Sequence, residues 1–275
     1  MAFETLGTRS LVTIILGPFI LFCAWRGGYI FFALVSSLVI LGMNEFYDLA
    51  IQKISRPQRH LGIAAGIATC ALMFLNRLDQ VWLLFTVTFL IVLVFELFRN
   101  EIGPILNVAT TFMGLLYVGF LLSFLVLIRE LPLSMTPDSV LAGQVVMMVF
   151  LCIWLCDTSA YLLGSRIGKH KLFERVSPNK TIEGTTAGFI FAVLTAYVCQ
   201  LTFLNELSVI DALFIGGICG CVGQVSDLLE SLFKRDARVK DSSNLIPGHG
   251  GILDRFDSAI LVAPVVYMYL RYVVV

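Results

Sequence analysis

Long apolar runs constrain this chain more than any other feature. Nine stretches, each near the roughly 20 residues that a bilayer core requires, lie at about 10–25, 28–50, 61–76, 80–98, 104–128, 142–165, 183–204, 208–233 and 255–274. Hydrophobic residues make up 58% of the chain and charged residues only 14%. A soluble domain is nearer half apolar and a quarter charged. The pattern predicts an all-α, polytopic membrane helical bundle of about nine transmembrane helices. The N-terminus carries no basic segment followed by a small-residue cleavage site, so the first run is expected to be a span rather than a removed signal.

Charge placement says more than net charge, which is zero and suggests no nucleic-acid partner. With the N-terminus in the cytoplasm, fifteen of the 19 basic residues fall on the cytoplasmic side and four on the other. An odd number of spans then leaves the C-terminus outside. The two most polar connections, 166–182 and 234–254, are both cytoplasmic, on the side where nucleotides are found. The chain is expected to divide into an N-terminal scaffold (1–140), facing lipid or a second copy, and a catalytic part (141–275) bearing those two loops. The seven cysteines all lie in apolar stretches without zinc-site spacing and read as small buried hydrophobes.

Two acids stand inside spans, Asp157 in the sixth and Asp227 in the eighth. A carboxylate in hydrocarbon is costly and normally faces a partner, a cation or a wet cavity. Asp157 is nine residues before Arg166, about 14 Å along a helix, and Asp227 seven before Lys234, about 10 Å. At matching depth they can meet in one pocket open to the cytoplasm. Gln224, Asp227, Ser231 and Lys234 are spaced to share one helix face. A pore would show a similar stripe. Glu45, Asp48 and Glu96 also sit near helix ends, where the plain reading is charge reaching the headgroup zone.

The loop chemistry is that of anions and a hard cation. Lys234, Arg235, Arg238 and Lys240 offer charge to phosphates, and Pro247-Gly-His249-Gly250-Gly251 is a turn whose amides can approach an anion. Asp254 and Asp257 share a face at the start of the last span; with Asp227 they supply oxygen ligands suited to Mg²⁺ on a polyphosphate. His249 is open to three readings: a turn residue, a metal ligand or, the preferred one, a phosphate donor. In the earlier loop Ser177 and Lys180 are candidate nucleotide contacts, and Thr181 is a candidate helix cap. A plain basic surface loop competes equally on spacing.

Residues 231–257 carry Ser231, Lys234, Arg235, Lys240, Asp241, Pro247, His249, Gly250, Gly251, Asp254, Arg255 and Asp257. In that order they resemble the signature of the phosphatidate cytidylyltransferase (CDP-diacylglycerol synthase) family, S-x-x-K-R-x4-K-D followed by P-x-H-G-G-x-x-D-R-x-D. Asp157-Thr-Ser-Ala160-Tyr161 and Ser177 to Gly184 resemble two further elements of it. Asn179 stands where a second Lys is common, and Ser226 where Gly is common. The resemblance covers roughly 150–260. It implies transfer from CTP to phosphatidic acid, releasing pyrophosphate, in the bacterial inner membrane. It implies Mg²⁺, with room for a second, monovalent cation, held with the help of Asp227 and Asp254, with Asp257 and Asp157 as further or supporting ligands. Lys234, Arg235, Lys240, Asp241, His249 and Arg255 then serve catalysis. Ser177, Lys180, Thr181, Ser231, Gly250 and Gly251 bind substrate, among membrane lipids and in a homodimer. A sibling enzyme using CTP on another lipid, or an ion-coupled transporter using the acids as a relay, remains as an alternative.

Overall fold

The apolar runs become helices almost residue for residue. The computed structural model describes residues 15–53, 55–133, 140–243, 245 and 250–274. Among these are nine helices: α1 (Ile15–Arg26), α2 (Gly28–Ile51), α3 (Arg59–Phe74), α4 (Leu78–Phe98), α5 (Pro104–Arg129), α6 (Val140–Ile167), α7 (Ile182–Thr202), α8 (Val209–Asp236) and α9 (Leu253–Val274). Seven are long and apolar enough to cross a membrane; α1 and α3 are shorter. At 16 residues α3 is about 24 Å long, below the roughly 30 Å of a bilayer core. Two helices change pitch without breaking, through π-helical turns at Leu115–Phe120 in α5 and Leu270–Val274 at the end of α9. The chain is an integral membrane protein of the all-α class.

One element was not expected. The polar connection after α6 contains an antiparallel hairpin of β1 (Lys171–Phe173) and β2 (Ser177–Thr181), paired Lys171 with Thr181 and Phe173 with Ser177. Short polar strands with a proline read as loop because they lack the apolar alternation that marks a half-buried strand. Thr181 ends β2 and starts α7, its hydroxyl accepting from the Gly184 amide at 3.2 Å, as expected of a cap.

Contacts divide the chain into two compact units that do not follow its order. Among the described residues one comprises those of 15–23, 28–127 and 233–256; the other those of 24–27, 128–232 and 257–274. In the first, Tyr47 fills the space left by Gly62 and Gly114, and its hydroxyl donates to the Thr111 carbonyl at 2.9 Å. Phe233, at the end of α8, packs edge-on against Phe46 and Tyr117, with ring centroids 6.0 and 5.2 Å apart. Glu96 is not a headgroup-zone charge as the sequence suggested. It is buried and accepts from Gln58, Asn107 and Arg99 at 2.7–2.9 Å. Asp48 does keep the expected surface position, paired with Arg59.

In the second unit α6, α7 and α8 approach closely where small residues face each other. A Cβ on Gly184 would meet the Gly164 backbone, and one on Gly216 would meet Ala196. Arg129 is buried and caps α1, its Nε donating to the Ala24 carbonyl at 2.7 Å. Six cysteines are buried as expected, but Cys221 faces outward because its position on α8 lies off the packed stripe.

Candidate active site

In the first unit the site is built around the N-terminus of α9. Asp254, in its first turn, is the acceptor for two segments. One carboxylate oxygen takes the Lys234 ammonium at 2.5 Å. The other takes the Ser242 amide and hydroxyl, both at 2.9 Å, and the Gly251 amide at 2.7 Å. The ion pair is nearly closed to solvent, with side chains 12% and 9% exposed. Gly250 has φ +82°, a left-handed conformation that glycine adopts without strain. At Gly251 a side chain would strike Ser242 and Glu45.

Glu45 is the residue that sequence reasoning missed. It comes from α2, is 4% exposed, and accepts four hydrogen bonds from the segment around Asp254. Ser242 and Ser243 donate through their hydroxyls at 2.9 and 2.6 Å; Ile252 and Leu253 donate through their amides at 2.9 and 2.7 Å. Those amides are among the helix-end donors that have no partner within the helix. The only sequence signal was an acid within the second apolar run, and the headgroup-zone reading absorbed it.

In the second unit the hairpin delivers Lys180 to Asp227, with Nζ and carboxylate 2.6 Å apart. Ser231, one turn on, reaches Asp227 at 3.4 Å, and Gln224, one turn earlier, donates to the Thr185 carbonyl at 3.0 Å. The expected polar stripe on α8 is therefore present. Asp257 is buried and lies in the electrostatic field of Asp227, Glu230 and Asp157. Ser226, where glycine is common in the signature, is buried and donates to the Asp257 carbonyl, holding α8 against α9. Asp157 lies on an outward part of α6.

The remaining expected residues sort by exposure. Arg235, Lys240, Asp241 and Arg255 are exposed, and Ser177 is half-buried on β2. Thr181 is buried and its hydroxyl is used by the α7 cap. His249 and Pro247 lie outside the described residues.

The sequence profile of the cytidylyltransferase family matches residues 7–273. The chain belongs to that family. Phosphatidate cytidylyltransferase of Synechocystis sp. is 31% identical over 293 residues, covering 95% of this chain and 96% of the relative. The enzymes of that name from Staphylococcus epidermidis and Staphylococcus aureus are 31% and 32% identical, covering 95% and 96% of this chain and 98% and 96% of theirs. Family membership makes the chain a CTP-dependent nucleotidyltransferase. A cytidylyltransferase must hold a triphosphate, and the exposed cations Arg235, Lys240 and Arg255 are of the right charge. The resemblance also implies Mg²⁺. The donor chemistry fits in kind: Asp227, Asp254, Asp257 and Asp157 carry the hard carboxylate oxygens that Mg²⁺ takes, and Lys180 supplies positive charge 2.6 Å from Asp227. Among the described residues, no three His, Cys, Asp or Glu side chains converge as a metal ligand set.

Proposed function

We propose that this cytidylyltransferase acts on phosphatidic acid, giving CDP-diacylglycerol and pyrophosphate for phospholipid synthesis. The likeness to relatives of that name along their whole length carries the reading. The geometry agrees with it. Cationic side chains crowd the 231–257 segment, and a membrane-embedded enzyme can take a substrate whose acyl chains stay in the bilayer.

A phosphate oxygen of phosphatidic acid attacks the α-phosphorus of CTP. A new phosphorus–oxygen bond forms, the α–β anhydride bond breaks, and pyrophosphate leaves with the electron pair. The protein positions two anions and neutralises charge. Lys234, Arg235, Lys240 and Arg255 hold phosphate oxygens, Asp241 orients the neighbouring cations, and His249 donates to the triphosphate beside the Gly250 amide; the Gly251 amide, expected to join them, is given to Asp254 instead. Lys180, Ser177 and Ser231 contact substrate from the hairpin and α8, whereas Thr181, expected to join them, is buried in the α7 cap and supports the hairpin instead. Bound Mg²⁺ would offset the charge of the departing pyrophosphate. The ligands that the family resemblance implies for it are Asp227, Asp254, Asp257 and Asp157, and a second, monovalent cation is admitted. The bias of basic residues supports a cytoplasmic N-terminus and loops in a bacterial inner membrane. The N-terminal helices are assigned to scaffold and homodimer.

The test is a micelle assay of the purified protein with labelled CTP and phosphatidic acid. Lipid-soluble cytidine label that disappears with EDTA and in Asp254→Asn is expected. Label on a different lipid phosphate only would move the substrate; no label on any lipid, from folded protein, would end the proposal.

A further inference from the structure

Between α8 and α9 the described residues form no helix or extended strand, and side-chain acceptors carry much of their hydrogen bonding. We infer that Glu45 is the positioning residue of the site: its carboxylate fixes both flanks of the 243–252 segment and, through Ser242, the orientation of Asp254. The inference rests on the cytidylyl-transfer reading and deepens it.

The geometry is two-sided. One Glu45 oxygen accepts from Ser243 and Ile252, the other from Ser242 and Leu253, so each oxygen takes one donor from before the segment and one from after it. Separation of the flanks breaks bonds on both oxygens. Ser242 then extends the reach of Glu45. Its hydroxyl lies 2.9 Å from a Glu45 oxygen and 2.9 Å from an Asp254 oxygen. A hydroxyl has one proton to donate, so the two carboxylates share it. Asp254 is thereby held in the orientation that receives Lys234 on its other oxygen. Packing enforces the arrangement, since any side chain at Gly251 would occupy the space of Ser242 and the Glu45 carboxylate. A group supporting residues that touch substrate typically changes activity about 10- to 100-fold when lost.

Glu45→Gln keeps the shape but turns an NH₂ toward donors. Glu96→Gln is the matched control, a buried acid of the same unit bonded to Gln58, Asn107 and Arg99 instead. In the micelle assay, Glu45→Gln is expected to lower kcat about 10- to 100-fold and raise KM for CTP, leaving KM for phosphatidic acid unchanged. Amide exchange at Ile252 and Leu253 should accelerate, and Glu96→Gln should do neither. Ser242→Ala, which removes one of the four donors to Glu45 together with the hydroxyl link to Asp254, should show a smaller loss of the same kind, and it keeps the test decisive if Glu45→Gln does not fold. Wild-type kinetics and wild-type exchange in both variants would overturn the role, as would equal losses in Glu45→Gln and Glu96→Gln. An inactive wild-type protein would overturn the proposed function and this role with it.

Discussion

The two charged connections solve the same problem in opposite ways. The one after α6 orders itself: β1 and β2 pair, Ile182 donates to the His170 carbonyl at 2.9 Å, and Thr181 passes directly into α7. The one after α8 is ordered by side chains brought to it, with Glu45 and Asp254 together accepting its amides and hydroxyls. A backbone ladder survives most side-chain changes. Residues held by two carboxylates depend on those few side chains.

That contrast can be broken by mutation. The largest effect is expected in the second connection, from Lys234→Met. It leaves the Asp254 carboxylate without its near-buried partner, which should cost about 3–5 kcal/mol in SDS-titrated unfolding and abolish transfer. Gly251→Ala should follow at about 1–3 kcal/mol, because the added methyl has no space beside Ser242 and Glu45. Thr181→Ala, which removes the cap where the hairpin becomes a helix, should cost about 1 kcal/mol. Glu174→Ala, in the exposed turn between β1 and β2, should shift the midpoint by less than about 0.5 kcal/mol. If the Glu174 change proved as damaging as the Gly251 change, the idea of a self-ordered hairpin would fall.

Sequence patterning carried the helices well. The run at 28–50 is Gly28–Ile51 and the run at 104–128 is Pro104–Arg129, because a stretch that must satisfy its backbone in lipid has little choice but helix. The π-helical turns left no mark, since they alter pitch without altering composition. The pairing of Lys180 with Asp227 was half legible: both residues stood out, but their meeting depends on a hairpin whose strands show no apolar alternation. Glu45 was not legible. Its donors lie 197 to 208 residues further on, and nothing near it in sequence distinguishes a buried acceptor from a charge at a helix end.

That separation has a consequence for biosynthesis. Glu45 is made early, and the amides and hydroxyls that satisfy it are made near the end. At about 5–20 residues per second, roughly 10–40 s of translation pass before Leu253 exists. For that interval the nascent chain holds an acid in an apolar helix with none of its final partners. The acid of the second helix therefore gains its full set of donors only once Leu253, at the start of the last helix, has been made.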